Sequence, residues 1–528
     1  MRLHHTLLMS AAFLTLSVTG ASAARWTWIA DTASGGGSEI RRAYGYMKDD
    51  YVAGDFNGDG KADLAVVRND GTNWQWLADY NADGSTDLNV TFGSKNGRVF
   101  PGDYNGDGKT DLAVIVKVGN QWQWRLDQNR DGNADNITNY GSATDIPIAG
   151  DFNGDGKQDF AVVRKISSGK WQWIIDTNRD GSPDIRKNYG TADIDDTGSD
   201  TSDVIEPADY NGDGKTDFGV RRRSGDNWRW IADFNGDGTS DLDVNYGQTS
   251  DYAFPADYNG DGKADLAVTR QVGHQWQWGI DTNRDGSTNT TRKYGEITDH
   301  PYPADYNGDG KTDLAVIRPE KTKNRYRLPF AGATQVFVSR DSYSHTAGGA
   351  PDRENFDLVG MPTGIAHGVA AAADGVIAAI EDSFNEDCPA GTPAGQDCND
   401  NNNYVWIKHD HGEWSKYTHI AENTATQLGL KVGDTIKAGT LIGIESDVGA
   451  ASGVHVHFEV GIPDDPANAI TSGGFLRGVA LAPRFCGVPG GVLARGETYT
   501  ATDCPDVTAT FNNTPSDVTI GVNPNNED

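Results

Sequence analysis

The stretch DFNGDGKADLAVVR, residues 55–68, decides the fold of the first half of this 528-residue chain. It joins a loop of alternating oxygen-bearing residues and glycines to a short run of branched apolar side chains, which is typical of a turn followed by a β-strand. The copies of this stretch begin at Asp55, Asp103, Asp151, Asp209, Asp257 and Asp305. They recur every 48 residues, except for one interval of 58 that contains a polar insertion at 191–207. A fixed period of this length indicates a solenoid, a propeller or an array.

A second motif lies between these copies and begins with a Trp-x-Trp pair, as in WQWLADYNADGSTD at 74–87. It also reads as a strand and an Asp-rich turn, so one period holds about four strands, which is one propeller blade. Residues i and i+2 of a strand share a face, so each pair is expected to pack between blades; stacking on sugar rings is the alternative. The pairs are Trp74/Trp76, Trp122/Trp124, Trp171/Trp173, Trp228/Trp230 and Trp276/Trp278.

The two ends of the repeat region predict a closed ring. The region begins with a divergent half-repeat at 25–39 and ends with the other half at 305–318. Joining the halves completes a blade and removes two exposed sheet edges. Six blades follow from this count, and seven result if 319–330 and the N-terminal segment form separate partial blades.

The Asp-rich loops follow the pattern Asp-x-Asn-x-Asp-Gly-x-x-Asp. Short oxygen-bearing residues at alternate positions of a tight loop can wrap a hard cation such as Ca²⁺. The alternative is a set of Asx turns that need no metal. Eleven copies favour calcium, because clustered carboxylates without a cation repel each other. The predicted calcium ligands are Asp55, Asn57, Asp59, Asp63, Asp79, Asn81, Asp83, Asp87, Asp103, Asn105, Asp107, Asp111, Asp127, Asn129, Asp131, Asp135, Asp151, Asn153, Asp155, Asp159, Asp176, Asn178, Asp180, Asp184, Asp209, Asn211, Asp213, Asp217, Asp233, Asn235, Asp237, Asp241, Asp257, Asn259, Asp261, Asp265, Asp281, Asn283, Asp285, Asp305, Asn307, Asp309 and Asp313.

These loops resemble the calcium loops of FG-GAP/VCBS repeat proteins, and the likeness covers nearly all of 25–318. The resemblance implies a β-propeller over 24–330 that is stabilised by several structural Ca²⁺ ions. Residues 331–475 are expected to form a second domain, and 476–528 a C-terminal extension.

Composition and targeting signals limit the partners of the chain. Asp and Glu total 76 against 45 Lys and Arg, a net charge of -31, which argues against nucleic acid or an anionic membrane as a partner. Residues 1–23 read as a signal peptide, with Arg2, an apolar run at 7–18 and a cleavage site after Ala23. We therefore expect a secreted or periplasmic protein without a membrane anchor.

Four cysteines predict two disulfides in an exported chain. Three pairings are open, and Cys388–Cys398 with Cys486–Cys504 is favoured because it closes short loops.

The histidines cluster after the repeats. GVHVHFEVG at 453–461 sets two histidines on one face of a strand, and KYTHIAE (416–422) and LKVGDTIKAGTLIGIESDVGAASG (430–453) precede it. In order and spacing these motifs resemble the zinc peptidase domain of the lysostaphin/LytM family, so an antiparallel β-sheet domain is expected. The resemblance implies one catalytic Zn²⁺ held by His345, Asp357 and His457. It implies that His419 and His455 act on the water and the oxyanion.

The first zinc ligand departs from the commonest family pattern. That pattern places a histidine four residues before the aspartate, where this chain has Arg353. SYSH…ENFD resembles a variant form of the family, which favours His345, with His367 as the alternative. His409 and His411 are interpreted as structural or surface residues.

The resemblance implies a zinc metalloendopeptidase that cuts peptide cross-links of peptidoglycan, or Gly-rich proteins, with the propeller as a targeting module. Two alternatives belong to other classes: a catalytically inactive LytM-like adaptor, and a calcium-dependent adhesin or lectin. The adaptor hypothesis is less favoured, because inactive adaptors of this kind normally lack the motif histidines that are present in this chain.

Overall fold

The computed structural model describes residues 24–33, 39–192, 202–341, 355–385, 401–449, 451, 453–471 and 474–504. Within these residues, the first 24 strands form six four-stranded antiparallel sheets, the blades of a β-propeller. The blades are β3–β6, β7–β10, β11–β14, β15–β18, β19–β22, and β23–β24 with β1–β2. The strands are β1 (Arg25–Asp31), β2 (Ile40–Tyr46), β3 (Asp50–Val52), β4 (Leu64–Asn69), β5 (Asn73–Asp79), β6 (Leu88–Ser94), β7 (Arg98–Val99), β8 (Leu112–Val118), β9 (Gln121–Asp127), β10 (Asn136–Ser142), β11 (Ile146–Ile148), β12 (Phe160–Lys165), β13 (Lys170–Asp176), β14 (Ile185–Thr191), β15 (Val204–Ile205), β16 (Phe218–Ser224), β17 (Asn227–Asp233), β18 (Leu242–Gln248), β19 (Tyr252–Ala253), β20 (Leu266–Val272), β21 (Gln275–Asp281), β22 (Thr290–Glu296), β23 (His300–Pro301) and β24 (Leu314–Arg318).

The ring closes as the half-repeats predict, because β1 pairs with β24 in the last blade. A ring of backbone hydrogen bonds also links the six major loops, those between the first and second strands of each blade. The Thr110 N–H donates to the Asp55 carbonyl at 2.6 Å, and the pattern continues until the Ala62 N–H donates to the Asp305 carbonyl at 2.7 Å. Because these bonds join each blade to the next and return to the first, the major loops form a closed ring. Six blades are confirmed.

The tryptophans pack in the propeller core, as their spacing predicts. The second member of each pair is nearly inaccessible, and its indole N–H donates to a carbonyl 16 residues further on at 2.9–3.2 Å. Satisfying this N–H inside the core lets the large ring be buried without a polar penalty. Stacking on sugar rings is therefore not supported for these second tryptophans, which number six when Trp28 of the first half-repeat is included.

A buried ion pair recurs in five blades. Arginines on the second strand bind aspartates that precede the first strand, in the pairs Arg68–Asp49, Arg164–Asp145, Arg222–Asp203, Arg270–Asp251 and Arg318–Asp299. In the remaining blade, Val116 and Gly97 replace both partners together. Losing both partners costs little, whereas losing one would leave a buried charge unpaired.

The second half contains a nine-stranded sheet in the described residues, with the order β32-β29-β30-β31-β34-β27-β26-β37 and β35 paired to β34. Two small sheets, β28 with β33 and β25 with β36, flank it. An antiparallel sheet was expected and is confirmed for this nine-stranded sheet. The elements are β25 (Lys321–Tyr326), β26 (Gln335–Arg340), β27 (Asn355–Met361), β28 (Gly368–Ala370), β29 (Gly375–Glu381), β30 (Tyr404–Lys408), a 3₁₀ turn (Asp410–Gly412), β31 (Trp414–Thr418), α1 (Thr424–Gln427), β32 (Thr435–Ile436), β33 (Leu441–Ile444), β34 (Val456–Pro463), 3₁₀ turns (Pro466–Asn468, Pro489–Gly491), β35 (Gly478–Ala480), β36 (Ala482–Phe485) and β37 (Thr498–Thr500).

The C-terminal segment joins this sheet, because β37 pairs with β26. The predicted disulfide Cys486–Cys504 is present, whereas Cys388 and Cys398 lie outside the described residues. The predicted signal peptide at 1–23 also lies outside them. No helix in the described part of the chain is long and apolar enough to cross a membrane.

Candidate active site

Three neighbouring strands, β27, β34 and β31, build the candidate site. Their antiparallel register sets Asp357 opposite His457, and His457 opposite Thr418. Side chains alternate between the faces of a strand, so these polar residues share one face. The other face carries Phe356 and Phe458, which are buried in the core. The apolar alternation of β34 therefore fixes the direction in which its histidine points.

Two imidazoles meet one carboxylate oxygen at this face. His457 Nδ1 lies 3.2 Å from Asp357 Oδ1, and His455 Nε2 lies 3.5 Å from the same oxygen. Burial alone would lower the pKa of the His457 imidazole. The hydrogen bonds and negative charges of Asp357 and Glu459 have a larger effect, and the pKa is raised. The site therefore favours a positive charge beside the Asp357 carboxylate.

His419 completes the group from the end of β31. Its ring centroid lies 4.6 Å from that of His455, and its Nδ1 lies 2.8 Å from the Val448 carbonyl oxygen. A carbonyl only accepts hydrogen bonds, so Nδ1 carries the proton and Nε2 keeps its lone pair. Burial, with the neighbouring imidazoles His455 and His457, lowers the pKa of His419 to about 3. The imidazole is therefore neutral at physiological pH, with its Nε2 unprotonated.

Asp357 and His457 are spaced as two ligands of one zinc ion would be. His455 Nδ1 lies 2.7 Å from the Gly453 carbonyl oxygen, so its Nε2 lone pair faces the Asp357 carboxylate. The Asp357 carboxylate also faces Arg340, whose Nε lies 3.9 Å from Oδ2, so positive charge already lies beside it. Ligands of tetrahedral zinc at about 2.0–2.1 Å from the ion lie about 3.4 Å from each other. The separation between Asp357 Oδ1 and His457 Nδ1, 3.2 Å, is close to this value.

A carboxylate and a lysine lie behind His457, and the sequence reasoning missed both. Glu459 Oε2 is 3.9 Å from His457 Nε2, and Lys416 Nζ is 3.8 Å from Glu459 Oε1. Burial lowers the pKa of Lys416. Glu459 could have been found, because it follows His457 by two residues and so shares its face. Carboxylates in this position orient metal-binding histidines.

The remaining histidines divide into three cases. His345 lies outside the described residues, so its role stays a prediction. His367 Nδ1 lies 2.6 Å from Glu445 Oε1, which anchors this imidazole to a buried carboxylate. His409 is buried between a backbone carbonyl and a serine hydroxyl, and His411 lies exposed in a turn, as interpreted from the sequence.

The eleven Asp-rich loops share one internal geometry. In each, the carboxylate at position 1 accepts from the N–H of the glycine at position 6, at 2.6–2.9 Å. These glycines have φ between 78° and 92°, a region that other residues rarely adopt. Carboxylate oxygens of Asp151, Asp155 and Asp159 lie within 4.8 Å of one another. In this loop, the carboxylate oxygens are gathered around one point.

The aspartate at position 9 of the major loops is buried. Burial, together with the carboxylates at positions 1 and 5, raises the pKa of Asp63, Asp111, Asp159, Asp217 and Asp265 to about 7. In three loops an arginine contacts this aspartate, in the pairs Arg130–Asp111, Arg179–Asp159 and Arg284–Asp265. In contrast, Asp63 Oδ1 is buried with no hydrogen-bond partner among the described residues.

Comparison with known families agrees with this architecture. Residues 359–469 match the model of peptidase family M23 and contain His419, His455 and His457. The FG-GAP-like repeat matches at 55–114, 103–162 and 257–316. The chain therefore carries a LytM-type domain of peptidase family M23 behind FG-GAP-like repeats that form a six-bladed propeller.

Solved structures show weaker likenesses. The Dos1 propeller is 9% identical with a TM-score of 0.30, and the match covers 78% of this chain and 92% of that chain. An exo-β-1,3-galactanase from Phanerochaete chrysosporium is 9% identical with a TM-score of 0.29, covering 78% of this chain and 91% of that one. Likenesses this low carry no argument about function. Among curated proteins, none matches the chain.

Proposed function

We propose that this protein is a secreted zinc metalloendopeptidase that hydrolyses peptide cross-links of bacterial peptidoglycan, with Gly-rich proteins as a second substrate class. One observation carries the proposal: Asp357, His419, His455 and His457 lie close together at one edge of the M23 domain. Inactive relatives lose such residues, and their presence in this chain supports an active peptidase.

The proposed roles follow from the protonation states. His345, Asp357 and His457 would hold Zn²⁺, which when bound supplies Lewis-acid activation of water at neutral pH. His419 accepts the proton through Nε2, because its Nδ1 proton is committed to the Val448 carbonyl. His455 lies between His419 and the carboxylate, and once protonated on Nε2 it would stabilise an oxyanion.

We further propose that the propeller loops bind Ca²⁺ with a structural role. The strongest support comes from the loop at 55–63, where the buried Asp63 Oδ1 has no hydrogen-bond partner among the described residues. A buried carboxylate oxygen of this kind is costly unless a cation compensates it. The loops at Asp103, Asp151 and Asp257 already receive a guanidinium group. Calcium should therefore bind first to the loops that lack one.

The test is digestion of purified peptidoglycan by the secreted protein, followed by analysis of the new chain ends. A zinc endopeptidase releases new amino groups without new reducing sugar ends, and a zinc chelator stops the release. An adaptor releases neither but increases cleavage by a separate hydrolase. An adhesin or lectin releases neither and binds the polymer only when calcium is present. Either of the last two outcomes would replace the proposal.

A further inference from the structure

A pocket of about 710 Å³ lies where the fourth and fifth blades meet the C-terminal segment. The blades contribute Arg221, Arg223, Trp228 and residues 249–254, and the C-terminal segment contributes Arg495. Three guanidinium groups thus converge on one cavity in a chain whose net charge is -31. This local reversal of charge indicates a site for an anion.

The arginines of the pocket are only partly neutralised. Arg221 pairs through Nε with Glu206 at 2.6 Å and lies 4.5 Å from the Trp228 ring, but its buried Nη1 has no acceptor among the described residues. In the same described part of the chain, Arg223 and Arg495 make no ion pair. A buried guanidinium N–H without an acceptor carries an energetic cost that a bound anion would remove.

The carboxylates near the pocket have partners of their own, although Asp251 keeps one buried oxygen, Oδ1, without a partner among the described residues. Asp251 accepts from Arg270 at 2.5 Å. Asp341 accepts from Gln271 at 2.5 Å. Burial and the Asp341 carboxylate raise the pKa of Tyr252, a wall residue, to about 12, and Arg495 opposes the shift. Arg223 and Arg495, on opposite sides of the domain boundary, are therefore the two arginines of the pocket without an ion pair among the described residues.

The pocket is linked to the candidate active site through the sheet. Next to Arg495, the Gly496 N–H donates to the Val338 carbonyl on β26 at 2.9 Å. Strand β26 pairs with β27. In this pairing, Arg340 on β26 is the register partner of Asp357 on β27. The backbone next to Arg495 is thus hydrogen-bonded to the strand that neighbours the one carrying Asp357.

We propose that this pocket binds a free carboxylate of the peptidoglycan stem peptide, so that the propeller and the C-terminal segment hold the substrate chain beside the catalytic strand. The inference that the pocket binds an anion rests on its arginines, whereas the choice of a peptide as the ligand rests on the proposed function. Guanidinium groups bind carboxylates through paired hydrogen bonds. A peptide is favoured over a uronic acid sugar because the pocket adjoins a peptidase strand.

The test is calorimetric titration of the full-length protein with the tripeptide L-Ala-γ-D-Glu-L-Lys and with its fully amidated form. The tripeptide contains no cross-link, so binding is measured independently of cleavage. We expect the acid form to bind at least tenfold more tightly, and Arg223→Gln and Arg495→Gln each to weaken it about tenfold, which is about 1.4 kcal/mol. Arg229→Gln is the matched control, since this arginine pairs with Asp243 on the same blade outside the pocket.

Equal binding of the acid and amidated peptides, or equal weakening by Arg229→Gln, would overturn the site. Tight binding of trigalacturonate with no binding of the tripeptide would overturn the peptide and assign the pocket to acidic sugars. Peptidoglycan cleavage is measured on the same variants. Loss of binding in the arginine variants, with no cleavage even by the wild type, would refute the proposed function while leaving the site intact.

Discussion

Replacement of His419 by asparagine isolates its role as a base. His419 has a φ of +63°, and asparagine tolerates this left-handed conformation better than alanine. The asparagine Nδ2 takes the place of Nδ1 and can still donate to the Val448 carbonyl, 2.8 Å away in the native site. What disappears is the Nε2 lone pair. Removing a general base slows reactions by about 10²–10⁴, so we expect a loss of that size in kcat, or about 2.7–5.5 kcal/mol.

The assay is the rate of new amino-end formation from a cross-linked peptidoglycan fragment at saturating substrate, with zinc content measured on the same sample. His411→Asn is a matched control, because His411 also has a left-handed φ, of +61°, but lies exposed in a turn. A His419→Asn protein with normal zinc and a kcat within threefold of the wild type would refute the base assignment.

Three further predictions concern metal binding and stability. Glu459→Gln should weaken zinc binding about 10–100-fold, because it removes the negative charge that lies 3.9 Å from His457 Nε2. Competition with a chelator measures the zinc affinity, and an unchanged affinity would contradict the prediction. Burial and the neighbouring carboxylates raise the pKa of Asp63 to about 7, so the folded protein favours the protonated form of this carboxyl. In a calcium chelator, the thermal stability of the protein should therefore fall as the pH rises from about 4 to 7. Excess calcium should abolish or reverse this slope. Replacing Cys486 and Cys504 by serine should cost about 2–4 kcal/mol in denaturant unfolding, since the bridge closes a loop with a sequence separation of 18.

The repeat period predicted the propeller because each period holds one complete blade. The half-repeats at 25–39 and 305–318 predicted the closure, since edge strands need partners. The exchange of Arg and Asp for Val116 and Gly97 in one blade could not be interpreted from sequence, because the partners lie 19 residues apart and meet only in the folded blade.

The candidate site was predicted from its motifs, and its supporting residues were not. The His-x-His spacing shows that His455 and His457 share a face, but Asp357 reaches them through strand register, 100 residues earlier in the chain. Lys416 was missed because a lysine in a strand usually points to solvent, whereas this one is buried behind Glu459. The arginine pocket joins segments more than 240 residues apart, which no local pattern reveals.

The most direct test of the account is the zinc content per chain of the wild type and the Asp357→Ala variant, measured by mass spectrometry of the purified secreted protein. The account predicts about one zinc per wild-type chain, none in Asp357→Ala, and a normal content in a His367→Ala control, whose imidazole is anchored to Glu445. A wild type without zinc, or an Asp357→Ala protein that keeps it, would contradict the proposed metal centre.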